Sequence, residues 1–482
     1  MSILENLQPK RVFYYFEEIA HIPHGSGNTK QISDYLVAFA KEHKLEYYQD
    51  AINNVILIKE GTQGYEQAEP IIIQGHMDMV CEKESSCTID FEKDGLELYV
   101  DGDFIKAKGT TLGGDDGIAV AYALALLESD EIAHPRLEVI ITVDEETGMN
   151  GAYGIDLSML KGKKMLNIDS DEEGIFLTSC AGGTAVNAQI SVKRMMQEGL
   201  VMNLKVDGLF GGHSGAEIHK EHGNADILMG RVLARLMQEI PYGLISLAGG
   251  LKDNAIPREC HASIMIPEDF KEEVIVILEK LSETFRKELF ASDANVTVSY
   301  EILEVQRAEI LDFTSLTKVV SYLRMVPNGV QHMSQAISGL VETSLNLGIM
   351  ELKEDVFMTE TSIRSSVGSR KADLRDKLIH IIEMLGGEAE IIGDYPAWEY
   401  KAESKLRKEI AKAYQDVYGK EPIFTAIHAG LECGILSQKI KDLDCVSFGP
   451  QNFDIHTPQE RLSISSTERV WKFLVEYLKQ AK

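Results

Sequence analysis

The sequence predicts an α/β fold with a mixed central sheet, interrupted by an inserted α+β domain. Three observations carry that reading. Short β-branched runs recur early in the chain and again near its far end, and each leads straight into polar residues. Ala/Leu-rich or amphipathic helical stretches lie between those runs. The middle, from about Val186 to Ala397, has a different texture, with alternating strand-like segments among separate amphipathic helices. Strands alternating with helices argue for a largely parallel or mixed sheet covered on both faces.

In chain order, Ile71-Ile72-Ile73-Gln74 runs into Gly75-His76-Met77-Asp78, and Ile118 to Leu127 reads as a helix preceded by Asp115-Asp116. Glu138 to Val143 runs into Asp144-Glu145-Glu146-Thr147-Gly148, and Met165-Leu166-Asn167-Ile168 into Asp169-Ser170. Lys405 to Tyr418 is an amphipathic helix candidate, and Cys445-Val446-Ser447-Phe448 leads into Gly449-Pro450, with His456 a few residues on. Continuous apolar runs this short read as buried strands. Ligands of such sheets collect at the carboxyl ends of strands, where all these polar segments fall.

Within the middle, Ala225 to Gln238 and Lys271 to Leu289 read as helices and Asn295 to Tyr300 as a strand. Ala181-Gly182-Gly183 and Pro396-Ala397-Trp398 punctuate its ends. The expected division is therefore one discontinuous domain, 1–185 with 398–482, and an insertion, 186–397. The insertion is long enough for two similar halves, although no repeat is readable in it.

A chain of 482 residues exceeds one ordinary core. Hydrophobic residues at 44% and charged residues at 26% exclude disorder and collagen-like repetition. The net charge of −28 repels phosphate backbones and anionic lipid, so neither nucleic acid nor a membrane surface is expected as a partner. Ile118 to Leu127 is about half of what a bilayer span requires. Met1-Ser2-Ile3-Leu4-Glu5 shows no basic region ahead of an apolar stretch, so no secretory leader is expected. Six cysteines without a CxxC pair argue against a disulfide framework or zinc ribbon and for reduced thiols in a cytoplasm.

The chemistry lies in His76, Asp78, Asp115, Glu145, Glu146, Asp169 and His456. Imidazoles and carboxylates without cysteine suit a catalytic zinc, cobalt or manganese site. Five ligands are more than one tetrahedral ion can use, and with one bridging carboxylate they suit two ions about 3.5–4 Å apart. Taken singly, each has an ordinary explanation. Asp115-Asp116 would be a helix-capping pair, Glu145-Glu146 a solvated acidic turn, Asp169 a turn residue, and a lone histidine a satisfied loop residue. Their coincidence at strand ends points to a metal, because so many converging carboxylates repel one another unless a cation neutralises them.

These segments, with Leu112-Gly113-Gly114-Asp115-Asp116-Gly117 as the second motif, resemble the successive signatures of the M20 family of metallopeptidases. Within it they are most similar to the aminoacyl-histidine dipeptidases. Further matches are Gly211-Gly212-His213-Ser214-Gly215, Asn254-Ala255-Ile256-Pro257, Gly339 to Ser344 and His428-Ala429-Gly430-Leu431-Glu432-Cys433-Gly434. The resemblance implies a zinc-exopeptidase-like catalytic domain with the insertion as its lid. It implies two Zn²⁺ per chain, with Co²⁺ or Mn²⁺ as substitutes. His76 and Asp169 would hold one ion, Glu146 and His456 the other, and Asp115 would bridge them. Asp78 would orient His76, and Glu145 would be the general base. Neighbours in an extended segment point to opposite sides, so Glu146 could ligate while Glu145 faces the attacking water. A cis peptide at Asp115-Asp116 is also implied. Asp116 stays open as an alternative ligand or a helix cap, with motif alignment favouring Asp115.

In the lid, the resemblance makes His213 the donor that stabilises the oxyanion. Asn254 and Arg364 are candidates for the substrate's backbone and terminal carboxylate, since a planar guanidinium fork can bond a carboxylate at two points. The Gly-rich joints suggest lid closure that brings His213 to the metals. The implied activity is hydrolysis of small dipeptides, favouring Xaa-His (carnosine-like) substrates with broad specificity. The rival readings are an aminoacylase or carboxypeptidase acting on N-acyl amino acids, and a metal-binding protein without turnover. Monomer and homodimer both stay open.

Overall fold

The computed structural model describes residues 3–482. Met1 and Ser2, which open the stretch read for a leader, lie outside the described residues. The chain divides into two compact units. The first joins the described residues up to Ser179 with Tyr400–Ala426 and Leu431–Lys482, and the second takes Cys180–Glu399 and Ile427–Gly430. Residues 186–397 lie within the second unit. It also takes 180–185 and 398–399, because strand Gly182–Ser191 starts there and Cys180 and Trp398 exchange backbone hydrogen bonds of 3.0 and 3.2 Å.

The first unit is built on an eight-stranded sheet. Its order is Glu46–Gln49, Val55–Lys59, Leu137–Thr142, Ile71–His76, Lys164–Asn167, Asp444–Ser447, Ile175–Cys180 and Ile423–Ile427. The four strands from Leu137–Thr142 to Asp444–Ser447 run parallel, while Val55–Lys59 and Ile175–Cys180 pair antiparallel beside them. The sheet is mixed, as the residue pattern predicts. Register aligns His76 with Thr142, Gln74 with Asn167 and Asn167 with Ser447. The carboxyl ends of the parallel strands therefore lie side by side, and the polar segments leave the sheet together.

Helix Gly114–Glu128 is apolar all round and buried from Gly117 to Leu127. An all-apolar helix needs cover on every side. Phe16 and Ile19 of helix Lys10–Ala20 close on it at Gly117, and Trp471 of helix Ile464–Gln480 stacks on Tyr122 with ring centroids 5.9 Å apart. Truncating a fully buried Leu here, such as Leu124, would cost about 2–5 kcal/mol. Gly75 permits the helix to meet the sheet. A Cβ at that position would lie 2.6 Å from the Ala119 Cβ and 2.5 Å from an Asp116 oxygen.

The second unit is internally duplicated. Strand Arg194–Asp207, helix Ala225–Glu239, strands Gly243–Gly249 and Cys260–Ile266, helix Lys271–Glu288 and strand Thr297–Leu311 form one βαββαβ repeat. Strand Gly182–Ser191, helix Phe313–Met325, strands Val341–Leu352 and Val356–Ser365, helix Gly368–Met384 and strand Gly387–Tyr395 form another. In both, the strands lie in spatial order fourth, first, third, second. The first repeat is spliced into the second, after its opening strand. The two meet where their second strands pair antiparallel, Ala248 with Glu351 and Gly249 with Met350. Each repeat thereby covers the other's open strand edge, which would otherwise be a site for unwanted pairing.

Candidate functional site

His76, Asp78, Asp115, Glu145, Glu146, Asp169 and His456 converge at the carboxyl edge of the first unit's sheet. His76 Nε2 lies 3.2 Å from Asp115 Oδ1 and 3.9 Å from Asp169 Oδ1. His456 Nε2 lies 3.2 Å from Asp115 Oδ2 and 2.9 Å from Glu146 Oε1. Asp115 thus presents one oxygen to each imidazole. The sets His76–Asp116–Asp169, His76–Glu145–Glu146 and Asp115–Glu146–His456 each have ligand atoms within 4.8 Å of one another.

Local structure explains the placement. His76 is the last residue of its strand, and Asp169 follows the end of another by two residues. Asp115 and Asp116 have non-helical backbone angles at the mouth of helix Gly114–Glu128, and the peptide between them is cis. Asp116 Oδ2 accepts the His76 backbone N–H at 3.2 Å. The Glu145-Glu146 segment is a turn rather than the extended pair expected. Asp144 adopts φ +54, and the Gly148 and Met149 amides donate back to the Glu145 carbonyl. Both carboxylates consequently reach toward His76 instead of facing opposite ways. His456 also has a left-handed φ of +61, a conformation uncommon outside glycine and concentrated at functional sites.

Asp78 meets the His76 ring with both its carbonyl and its carboxylate. The group nearest His76 Nδ1 is the Asp78 carbonyl oxygen, at 3.0 Å, with the carboxylate at 3.5 Å. The carboxylate also accepts from Ser26 Oγ at 2.7 Å and the Glu145 N–H at 3.1 Å. It ties the loop after His76 to the turn that carries the two glutamates.

The residues fit a metal. Asp169 Oδ2 is buried without a hydrogen-bond partner among the described residues. Burial pushes Asp169 up to about 7 and Glu145 well above the usual carboxylate range, with neighbouring carboxylates adding to both shifts. Against its burial, His76 is raised well above its ordinary value by Asp115 and Asp78. Hydrogen bonds to Asp115 and Glu146 push His456 up to about 10. Burial opposes ionisation of Asp115, yet the two imidazoles hold it below the usual carboxylate range. So many carboxylates around two imidazoles call for positive charge, and oxygen and imidazole donors suit divalent zinc, cobalt or manganese.

His213, Asn254 and Arg364 belong to the second unit. The Gly215 and Ala216 amides donate to His213 Nδ1 at 3.2 and 3.0 Å, so the neutral ring carries its proton on Nε2. Burial and Arg364 lower its pKa, which keeps the ring neutral. Ser214 N–H donates to the Asn254 carbonyl at 2.8 Å. Arg364 bonds the Tyr395 hydroxyl at 3.1 Å, while its Nε is buried without a partner among the described residues. A Cβ at Gly215 would lie 3.0 Å from the His213 ring, 3.2 Å from that Nε and 2.8 Å from the His428 carbonyl. His428 bonds Ser344 Oγ at 2.7 Å and is lowered to about 4 by burial and Arg364.

Sequence reasoning missed Glu460, which is buried four residues beyond His456. It accepts the backbone N–H groups of Leu112, Gly113, Gly114 and Asp115 at 2.7, 3.1, 2.9 and 3.3 Å, and Asn452 Nδ2 at 3.1 Å. It also missed Ser26 and assigned no role to Glu432. The only signal for Glu432 was its place in the motif His428 to Gly434.

Comparison with known proteins places this geometry among relatives. The model of peptidase family M20/M25/M40 matches residues 72–480. The chain is 35% identical over 482 residues to the cytosol non-specific dipeptidase of Escherichia coli (strain K12), covering 100% of this chain and 99% of that protein. The crystal structure of aminoacylhistidine dipeptidase from Vibrio alginolyticus superposes with a TM-score of 0.94 at 34% identity, covering 99% of this chain and 98% of that one. Aminopeptidase PepT from Bacillus cereus shares the fold at a TM-score of 0.57 and 15% identity, covering 98% and 99% of the two chains.

Proposed function

Because this chain belongs to peptidase family M20/M25/M40, we propose that it is a metal-dependent dipeptidase acting on small, unblocked dipeptides, Xaa-His (carnosine-like) substrates among them. The observation that carries this reading is Asp115, with one oxygen toward His76 and the other toward His456 at 3.2 Å each. A carboxylate shared in that way is the centre of a two-ion site. His76 and Asp169 would hold one ion, Glu146 and His456 the other, and Asp115 both. Two zinc ions, when bound, supply Lewis acidity toward the scissile carbonyl and acidify the attacking water.

The chain's own residues do the rest. Glu145 takes the proton of the attacking water on its carboxylate and returns it to the leaving amine. Burial already raises its affinity for that proton. Asp78 keeps His76 and the Glu145 turn in one arrangement. We assign His213 Nε2–H to the oxyanion, the 186–397 insertion to the lid, and the unpartnered Nε of Arg364 to the substrate carboxylate, with Asn254 beside it. The E. coli relative is named a cytosol dipeptidase, which supports a cytoplasmic location for this chain. Among the described residues, no helix is long and apolar enough to cross a membrane. The repeats of the second unit already pair edge to edge, so we read the chain as not needing a second copy to cover that edge.

A small panel of substrates with zinc, manganese or cobalt tests the reading. Ala-His and β-Ala-His should be cleaved well, their N-acetyl or C-amide forms poorly, and a tetrapeptide hardly at all. Comparable rates on N-acetyl amino acids would move the chain to the aminoacylase reading. Metal binding without any turnover would leave a binding protein.

A further inference from the structure

Directly under the proposed metal edge lies a chain of buried polar side chains that the reaction does not use. Glu432 has no exposed surface. Its Oε2 accepts from Gln74 Nε2 at 2.5 Å and from Thr142 Oγ1 at 2.6 Å. Gln74 Oε1 in turn accepts from Asn167 Nδ2 at 2.6 Å. These three partners sit on three adjacent parallel strands, with Gln74 in register with Asn167 and Thr142 in register with His76. Gln74 comes two residues before His76, and Asn167 two residues before Asp169. Thr142 ends the strand that leads into Glu145 and Glu146. Alternate residues of a strand share a face, so Gln74 lies on the same side of the sheet as His76.

Packing alone does not call for a carboxylate here. A leucine would fill similar space without the cost of burying an acidic group, and no lysine or arginine bonds Glu432 among the described residues. Its second oxygen, Oε1, is buried with no partner among them. What the carboxylate provides is one acceptor on which two donors from neighbouring strands converge. Fully satisfied donors of this kind fix a single arrangement of a buried layer.

We propose that Glu432 is a positioning residue of the metal centre, locking Gln74 and Thr142, and through Gln74 also Asn167, so that the ligand-bearing loops leave the sheet in one fixed register. Glu432 enters from the segment that opens helix Cys433–Lys439, far along the chain from its partners. It belongs to none of the three side-chain groups that could hold an ion. The assignment rests on the two-ion reading above, and groups that orient metal ligands in this way typically control about 10–100-fold in metal affinity or activity.

The test compares E432L and E432Q with wild type. The readouts are ions bound per chain, zinc affinity by chelator competition, circular dichroism, and kcat and KM with saturating metal. E432L removes the acceptor, and its zinc affinity should fall by about 10–100-fold, with kcat dropping more than KM rises. E432Q keeps an oxygen at the accepting position and should restore most of that loss. Affinity and kcat in E432L within twofold of wild type would overturn the proposal, as would E432Q behaving like E432L. If E432L does not fold, T142V decides, because it removes one donor and leaves Glu432 in place. An unchanged zinc affinity in T142V would then refute the assignment, and a weaker one would support it. Wild-type protein that binds no metal would instead remove the two-ion reading itself.

Discussion

Glu460 holds Asp115 through the backbone: its Oε1 accepts the Asp115 N–H at 3.3 Å, and the same carboxylate takes the three preceding amides. The loop that delivers the proposed bridging carboxylate is thus wrapped around a buried anion. That carboxylate stands four residues after His456, so one short segment places one proposed ligand and shapes the loop of another.

Replacing Glu460 with Gln would turn one accepting oxygen into a donor that faces backbone N–H groups. Zinc affinity of Glu460→Gln should fall by about 10–100-fold, in the range seen when groups that orient metal ligands are altered. Chelator competition measures it. An affinity equal to wild type would mean that the loop keeps its shape without the carboxylate.

Acid–base balance gives a second expectation. In the metal-free protein His456 is raised to about 10 by hydrogen bonds to Asp115 and Glu146. A raised histidine stabilises the fold fully below its unfolded value of about 6.5, and the contribution is lost as pH rises through the folded value. Metal-free protein should therefore lose thermal stability between about pH 7 and 10, whereas zinc-loaded protein should not lose it by this route. Zinc loading near pH 7 should also release protons, measurable as a buffer-dependent heat in calorimetry. A flat Tm across that window without metal would count against the His456–Asp115–Glu146 arrangement.

Glu145→Gln should retain both ions and lose about 10²–10⁴-fold in kcat, the usual contribution of a general base. Metal analysis separates this from loss of a ligand. A variant that loses metal and recovers its rate on resupply would exchange the roles of Glu145 and Glu146.

His213→Ala should lower kcat by about 10²–10³, the cost of one missing oxyanion donor, with metal content unchanged. The Nδ1 atom is already occupied by two amides, so only Nε2–H is free to serve. A rate near wild type would make the Gly211–Gly215 loop structural.

Local pattern was enough for much of the fold. The apolar runs at 71–74, 138–143, 165–168 and 445–448 became adjacent strands, and helix Lys405–Tyr418 has the bounds its amphipathic spacing predicts. Strand burial and helix amphipathy are periodic properties of neighbouring residues, so they can be read one segment at a time. The direction of the polar residues at strand ends follows from the same reading.

Tertiary structure alone decided the rest. Glu460 meets Leu112 to Asp115 from more than three hundred residues away, and Glu432 meets Gln74 from a similar distance. A single buried glutamate leaves no periodic trace, and its partners are backbone amides or amide side chains that occur everywhere. The duplication of the second unit was equally silent, because the same βαββαβ path needs only matching burial and hydrogen bonding, which many unrelated residues supply. Asp78 shows the limit within a motif. Its proximity to His76 follows from two residues of spacing, but that Ser26 and the Glu145 amide share its carboxylate with the ring, and that its carbonyl lies nearer the ring at 3.0 Å, does not. Competition for a hydrogen bond is settled only when all the competitors are in place.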